Sequence, residues 1–374
     1  MDTVDIVIVL AKAVAAFALL MVVTVLLVWA ERKIVADMQN RLGPMRAGPF
    51  GILQTVADGL KLFFKEQITP AKSDVAIYLL APLLAVVPAF LMFLVVPIGR
   101  PFNVTLGGQI REISLQAMDL NIGLLYILAI SSVAVYAVVL AGWSSGSKYP
   151  LLGGVRATAQ AISYEAAMGL ALVALVVYAS ISDATADTLS VARIVELQQG
   201  TYATAGGSGI LNTLAGFVPR WNIIPQFVAF GVFAVAAVAE TNRAPFDLVE
   251  AEQEIVGGFH TEYSGMRFAM FFLAEYINMF TMSAIAVSLF LGGWSGPFLD
   301  SIGGFGATIL SLVYFFAKVF VLLFMFIWLR ASLPRLRYDQ LMQLGWKRLI
   351  PTALVWLVAS TLVVAWRQFG APWA

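Results

Sequence analysis

Eight stretches of this chain stay apolar for about the length that crosses a bilayer: about 5 to 30, 75 to 97, 121 to 141, 159 to 180, 223 to 239, 268 to 292, 307 to 329 and 349 to 366. A hydrocarbon core of roughly 30 Å takes about 20 residues of helix, and backbone polar groups inside it are satisfied only within helices or closed barrels. Barrel strands would be short runs of alternating polarity, and these runs do not alternate. The reading is an all-α polytopic membrane protein, one membrane domain over residues 1–374 with eight transmembrane helices. A composition of 60% hydrophobic and only 12% charged residues agrees. The first run follows Met1-Asp2 with no basic region or small-residue cleavage site, so a retained span is expected.

Basic residues are retained on the cytoplasmic side, and they fall unevenly here. The connections 31 to 74, 142 to 158, 240 to 267 and 330 to 348 hold 16 Lys and Arg, against 5 in the alternate connections and the tail after 366. Both termini then face outward. The 181 to 222 connection, with TAGGSG at 204 to 209, reads as a flexible outer loop. GWSSG at 142 to 146 and GWSGP at 293 to 297 fall on opposite faces, so their likeness is read as coincidence rather than repeat.

One connection carries helical periodicity of its own. Over 49 to 66, Leu53, Val56, Ala57, Leu60, Phe63 and Phe64 form one stripe, while Gln54, Asp58, Lys61 and Lys65 take the other face. Such a helix is too charged to span and suits the headgroup plane. It is either a plain surface helix or the roof of an opening from the membrane, with Asp58 turned toward a polar interior.

Ionisable residues within spans are costly unless they face protein or water. Lys12 lies near the outer end of the first span, where it could snorkel. Glu165 starts the fourth, Glu275 lies in the cytoplasmic third of the sixth, and Lys318 is mid-span in the seventh. Lys318 therefore requires a polar, enclosed environment, with Glu275 as the candidate partner.

The stretch AETNRAPFDLVEAEQEIVGGFHTEYSG, 239 to 265, holds six of the chain's 22 acids: Glu240, Asp247, Glu250, Glu252, Glu254 and Glu262, opposed by Arg243. Its interleaved Pro245, Phe246, Gly257, Gly258, Phe259 and Tyr263 point to an ordered segment rather than a solvated loop. With Glu165 and Glu275 these acids gather at the cytoplasmic half of the membrane. Desolvation and mutual repulsion raise carboxylate proton affinity, so the cluster suits proton handling near neutrality. His260 is the only histidine and lacks a second ligand candidate, so no metal site is expected. The absence of cysteine excludes disulfides and thiolate-held clusters within this chain. A glycine-rich nucleotide fingerprint is also missing.

ETNRAPFDLVEAEQE at 240 to 254 with EYSG at 262 to 265, GWSSGSKYPLLGGVRATAQAISYE at 142 to 165, ERK at 31 to 33, QNRLGP at 39 to 44 and RASLPRLRYDQLM at 330 to 342 carry a resemblance. The whole chain resembles the H subunit of the proton-pumping NADH:quinone oxidoreductase, respiratory complex I. Met45, Thr55 and Gly154 depart from the family's common Asn, Pro and Ala. The resemblance implies a non-redox subunit that forms the quinone entrance and chamber wall and couples quinone reduction to proton translocation. It implies a quinone path at Arg32, Arg41, Asp58, Arg243 and Phe246. Glu31, Glu165, Glu240, Asp247, Glu250, Glu252, Glu254, Glu262 and Glu275 would be proton-linked, with Lys318 added on the burial argument. Arg330, Arg335 and Arg337 would shape the chamber or dock hydrophilic subunits. It further implies a bacterial inner membrane, other membrane-arm and quinone-site subunits as partners, and FMN and iron-sulfur clusters held by those partners; nucleic acid has no place in it. A membrane subunit of a hydrogenase-type complex and a stand-alone proton-coupled transporter are the alternatives.

Overall fold

The computed structural model describes residues 3–106, 109–181, 189–202, 218–247, 256–297 and 299–369. The helices that build it are α1 (Thr3–Met38), α2 (Gln54–Phe64), α3 (Val75–Phe93), α4 (Gly123–Ser144), α5 (Lys148–Ala179), α6 (Val191–Leu197), α7 (Phe227–Glu240), α8 (Gly265–Phe290), α9 (Gly304–Ser332), α10 (Tyr338–Gln343) and α11 (Ile350–Phe369). A π-turn, Leu344–Leu349, joins α10 to α11 in one continuous helix. The chain is an all-α polytopic membrane protein, as its apolar runs require. Among the described residues seven helices are long and apolar enough to cross a membrane.

The fifth expected span, 223 to 239, forms the shorter α7. Its 14 residues rise about 21 Å, less than a hydrocarbon core. A helix can end inside a bundle only if its last carbonyls find donors. The amides of Thr241, Asn242 and Arg243 donate to Ala237 O, Ala239 O and Val238 O, and Gln160, buried on α5, adds a bond to Ala239 O at 2.7 Å and ties in Phe246 O at 2.9 Å. The chain therefore leaves α7 among packed helices and not in water.

At the centre, α5 packs against α4, α7 and α11, while α8 lies against α3, α7 and α9 and is the most enclosed of the spanning helices. Tyr78, Tyr164, Phe233, Phe280, Phe290 and Phe315 fill the interior. Leu10, Val14 and Phe17 of α1 and Val355, Val358 and Leu362 of α11 are exposed, as lipid-facing positions would be.

Two connections differ from their sequence expectation. An antiparallel hairpin, β1 (Phe102–Leu106) and β2 (Gln109–Ile113), sets Phe102 opposite Ile113 and Val104 opposite Arg111. Arg111 pairs with Asp5, and Lys12 donates to Ser114 Oγ at 3.0 Å. Lys12 thus has a polar partner beside the hairpin and has no need to snorkel. The outer connection is also not a plain flexible loop over 189 to 202. There α6 buries Val191, Ile194 and Val195, and Gln198 donates to Ser288 O while accepting from the Asn222 and Gly292 amides. The TAGGSG run lies outside the described residues.

The helix α2 forms over its periodic stretch, with Gln54 and Asp58 turned inward as the roof reading has it, while Lys61 and Lys65 stay exposed. Gln54, Thr55, Asp58 and Leu62 are half-buried, whereas Leu53, Val56, Leu60, Phe63 and Phe64 are exposed.

Candidate functional site

Four separate elements converge at the end of the bundle where α1 and α9 finish and α8 begins. Glu31 of α1 and Arg243, on the segment after α7, are both buried. Arg243 Nη1 lies 3.3 Å from Glu31 Oε1, and its Nε lies 2.9 Å from Glu275 Oε1 on α8. Its guanidinium also stacks 4.2 Å from the centre of the Tyr276 ring. Arg330, near the end of α9, completes the group by pairing with Glu31. Burial alone would lower the affinity of Arg243 for its proton; the charges of Glu275 and Glu31 more than reverse this, and the guanidinium stays cationic. Next to this group, Arg335 reaches Asp247 at 3.1 Å, and the Leu336 amide donates to Pro245 O at 3.0 Å. The segment after α9 is thereby fastened to the start of the acidic stretch.

A second pair of acids hangs from two neighbouring serines on α4. Ser131 donates to Glu240 at the end of α7, and Ser132 donates to Glu165 on α5. Consecutive residues on one helix thus draw carboxylates from two others toward the same level. Glu240 and Glu275 line a cavity of about 100 Å³ together with His260, Asn278 and Thr241. Glu240 Oε2 and Asn278 Oδ1 are buried there without a protein partner. A cavity of this size has room for a water, and these acceptors are partners for one. The arrangement can store a proton on a carboxylate.

The acidic stretch after residue 255 is ordered, as its interleaved apolar residues predict. Phe259 and Tyr263 are buried, and Tyr263 stacks on Tyr78 of α3 at 4.2 Å. Desolvation by burial pushes the Tyr263 phenol up to about 12, so it stays neutral. Gly153 on α5 is needed where this segment crosses: an added Cβ would stand 2.7 Å from Gly258 Cα. Glu262 is half-buried, and its backbone carbonyl accepts from Tyr78 Oη at 2.8 Å. Glu250, Glu252 and Glu254 lie outside the described residues.

A third feature is a cavity of about 1330 Å³ between α1, α2 and α8, walled mostly by apolar side chains such as Val28, Leu60 and Met270. Arg32 and Asp58 meet on it at 2.5 Å, and Gln54 donates to the same carboxylate at 3.0 Å. Burial raises the proton affinity of Asp58, but the bonds from Arg32 and Gln54 and the charges of Arg32 and Lys61 outweigh it, holding the carboxyl below its ordinary value. Phe268 and Phe272 line both this cavity and the small acidic one, so a single pair of rings separates them.

The other residues expected on a quinone path are not gathered here. Arg41 is exposed beyond α1 and bonds Gln39. Arg243 belongs to the ion-pair group. Phe246 packs edge-on against Tyr164 and lines a separate apolar cavity of about 290 Å³ bounded by α7, α8 and α9. Lys318 is polar-lined and enclosed, as its burial demands, but Glu275 is not its partner. Its ammonium donates to Leu291 O, Gly293 O and Ser295 O and lies 4.7 Å from the Trp221 ring centre. Those carbonyls follow the far end of α8, about 24 Å along the helix from Glu275. Sequence reasoning passed over Asn278, the Ser131–Ser132 pair and Tyr276, and read His260 only as a loop residue. Polar residues recurring in the sixth span and the paired serines in the third were the available signal.

The NADH dehydrogenase family profile matches residues 11–361. The NADH-quinone oxidoreductase H subunit of Frankia casuarinae is 50% identical over 353 residues, 94% of this chain and 71% of the relative. That of Frankia alni is 49% identical over 368 residues, 98% of this chain and 75% of the relative.

Proposed function

The chain belongs to the NADH dehydrogenase family, with the H subunits of NADH-quinone oxidoreductase, and we propose that it forms the membrane entrance for quinone and passes the effect of quinone reduction into buried carboxylates. The observation that carries this reading is the shared wall. A large apolar cavity, of a size for an isoprenoid quinone, backs through Phe268 and Phe272 onto the polar cavity of Glu240 and Glu275. A ring or tail moving in the first cavity displaces the partition of the second. The α2 orientation supports the same role, because its exposed apolar residues Val56, Leu60, Phe63 and Phe64 line the large open cavity and Asp58 meets Arg32 on its wall.

Quinone reduction makes negative charge that must be matched by protons or by moving cations. In this reading the Glu31–Arg243–Glu275–Arg330 group responds to that charge. Arg243 is shared between two carboxylates, so any shift of the guanidinium changes the proton affinity of both. Glu275 faces this cavity, Glu240 lies across it, and Ser131 and Ser132 continue the path to Glu165. Asp247, held by Arg335, stands at the head of the run that carries Glu250, Glu252 and Glu254. Electrons reach quinone from FMN and iron-sulfur clusters on the hydrophilic partners, this chain carrying no redox group. Both termini face the periplasm of a bacterial inner membrane.

Replacing Leu53 and Leu60 by Gln tests the entrance. In the assembled complex the apparent KM for a long-tailed quinone should rise more than that for a short, soluble one. Equal effects on both would assign α2 a packing role only.

A further inference from the structure

The end of the bundle away from the acids holds a polar hollow of about 540 Å³ that the proposed function leaves unused. Tyr178 at the end of α5, Gln199, Tyr202, Arg220 and Arg367 in the last turn of α11 face it. The backbone fixes part of this wall: the Tyr202 amide donates to Val218 O at 3.1 Å and the Arg220 amide to Gly200 O at 3.2 Å. Tyr202 and Arg220 thus sit on paired segments rather than on a free loop. Among the described residues Glu196 is the one acid on the wall, and Arg193 holds it at 2.9 Å. Among the described residues no carboxylate pairs with Arg220 or Arg367. Two guanidiniums, two phenols and an amide therefore converge on one space with a surplus of positive charge.

Guanidiniums match phosphate oxygens in a planar fork, and phenols add neutral donors at the same level. Just below, α11 turns an apolar face outward: Val363 lies one turn before Arg367 and is exposed, as are Leu362 and Trp366. Tyr and Trp at this depth are the usual marks of the membrane interface. A free anion would use the donors and leave the apolar face unused; an amphiphile uses both. We propose that this hollow binds the phosphate headgroup of an anionic phospholipid, its acyl chains lying along Val363 and Leu362 of α11. The site is remote from Glu31 and Glu240 and stands independently of the function proposed above.

The test uses the assembled complex in nanodiscs carrying a phosphatidylglycerol with a photoreactive acyl chain, with phosphatidylcholine of the same chain as comparison. Cross-links are mapped by mass spectrometry. In the wild type, α11 around Val363 should be labelled by the anionic probe in preference to the zwitterionic one. Arg220→Gln with Arg367→Gln should reduce that labelling by roughly fivefold for each charge removed. Arg220→Lys with Arg367→Lys keeps the charge and should retain most of it. Both arginines are exposed, so neither pair of changes disturbs the core. Equal labelling by both lipids, or undiminished labelling of the Gln variant, overturns the proposal. Loss of the label on adding inorganic phosphate, with no preference for a lipid, reassigns the hollow to a free anion and also overturns it.

Discussion

Lys318 offers the clearest calculation. Its ammonium donates to Leu291 O at 2.8 Å, Gly293 O at 2.9 Å and Ser295 O at 2.6 Å and meets the Trp221 ring. Hydrogen bonds from a charged donor contribute about 1.5–3 kcal/mol each, and a desolvated cation–π contact about 2 kcal/mol. Against this stands a desolvation cost of several kcal/mol for the ammonium. Lys318→Met removes both sides of that balance, fills the volume, and leaves three carbonyls without their donor. The net loss is about 3 kcal/mol, confined to the turn after α8, which is roughly a 100-fold rise in local opening. Hydrogen exchange on the assembled complex reads it directly. The amides of Leu291 and Gly293, both bonded to Val287 O, and of Ser295, bonded to Gly292 O, should exchange that much faster. Quinone reductase turnover should be unchanged, since among the described residues no carboxylate of the acid cluster touches the ammonium. Unchanged exchange with lost turnover would refute the reasoning and make Lys318 part of the proton path.

Gly153→Ala places a Cβ 2.7 Å from Gly258 Cα and 2.9 Å from Phe259 N, both backbone atoms. Overpacking of this kind costs about 1–3 kcal/mol and should loosen residues 256 to 263 in hydrogen exchange and lower reductase activity. Gly169→Ala, where the added atom meets nothing within 4 Å, should do neither. Asp58→Asn removes the partner of Arg32 and should raise the KM for long-tailed quinone. Because the Asp58 carboxyl is held below its ordinary value, its ion pair is complete above about pH 4 and lost only as pH falls through the lowered value. The effect of the substitution, measured as KM against pH, should therefore be the same from about pH 6 to about pH 8.

The long helices were legible because an apolar run of spanning length has one outcome in lipid. The acidic stretch was legible as an anomaly, and the aromatic and glycine residues within it correctly pointed to packing. What the sequence did not reveal depended on partners distant in the chain. Gln160 reads as an ordinary polar residue until it is seen bonding Ala239 O and Phe246 O, which ties the end of α7 to the segment after it. Lys318 announced its need for polar neighbours, yet backbone carbonyls leave no trace in residue types, so a carboxylate was the natural but mistaken expectation. The hairpin at Phe102–Ile113 was hidden by its shortness. The inward polar face of α2 was anticipated only as one of two readings, since period shows that two faces exist but not which one the protein covers.

The claim on which the account turns is that Glu240 and its neighbours connect quinone reduction to proton movement. It is tested most directly by reconstituting the assembled Glu240→Gln complex in proteoliposomes and recording quinone reduction and proton translocation in the same sample. The account predicts an intact complex in which both rates fall together, because the amide occupies the place of the carboxylate yet cannot take up its proton. Both rates at wild-type level in that intact complex would contradict it and leave the acidic stretch a structural segment.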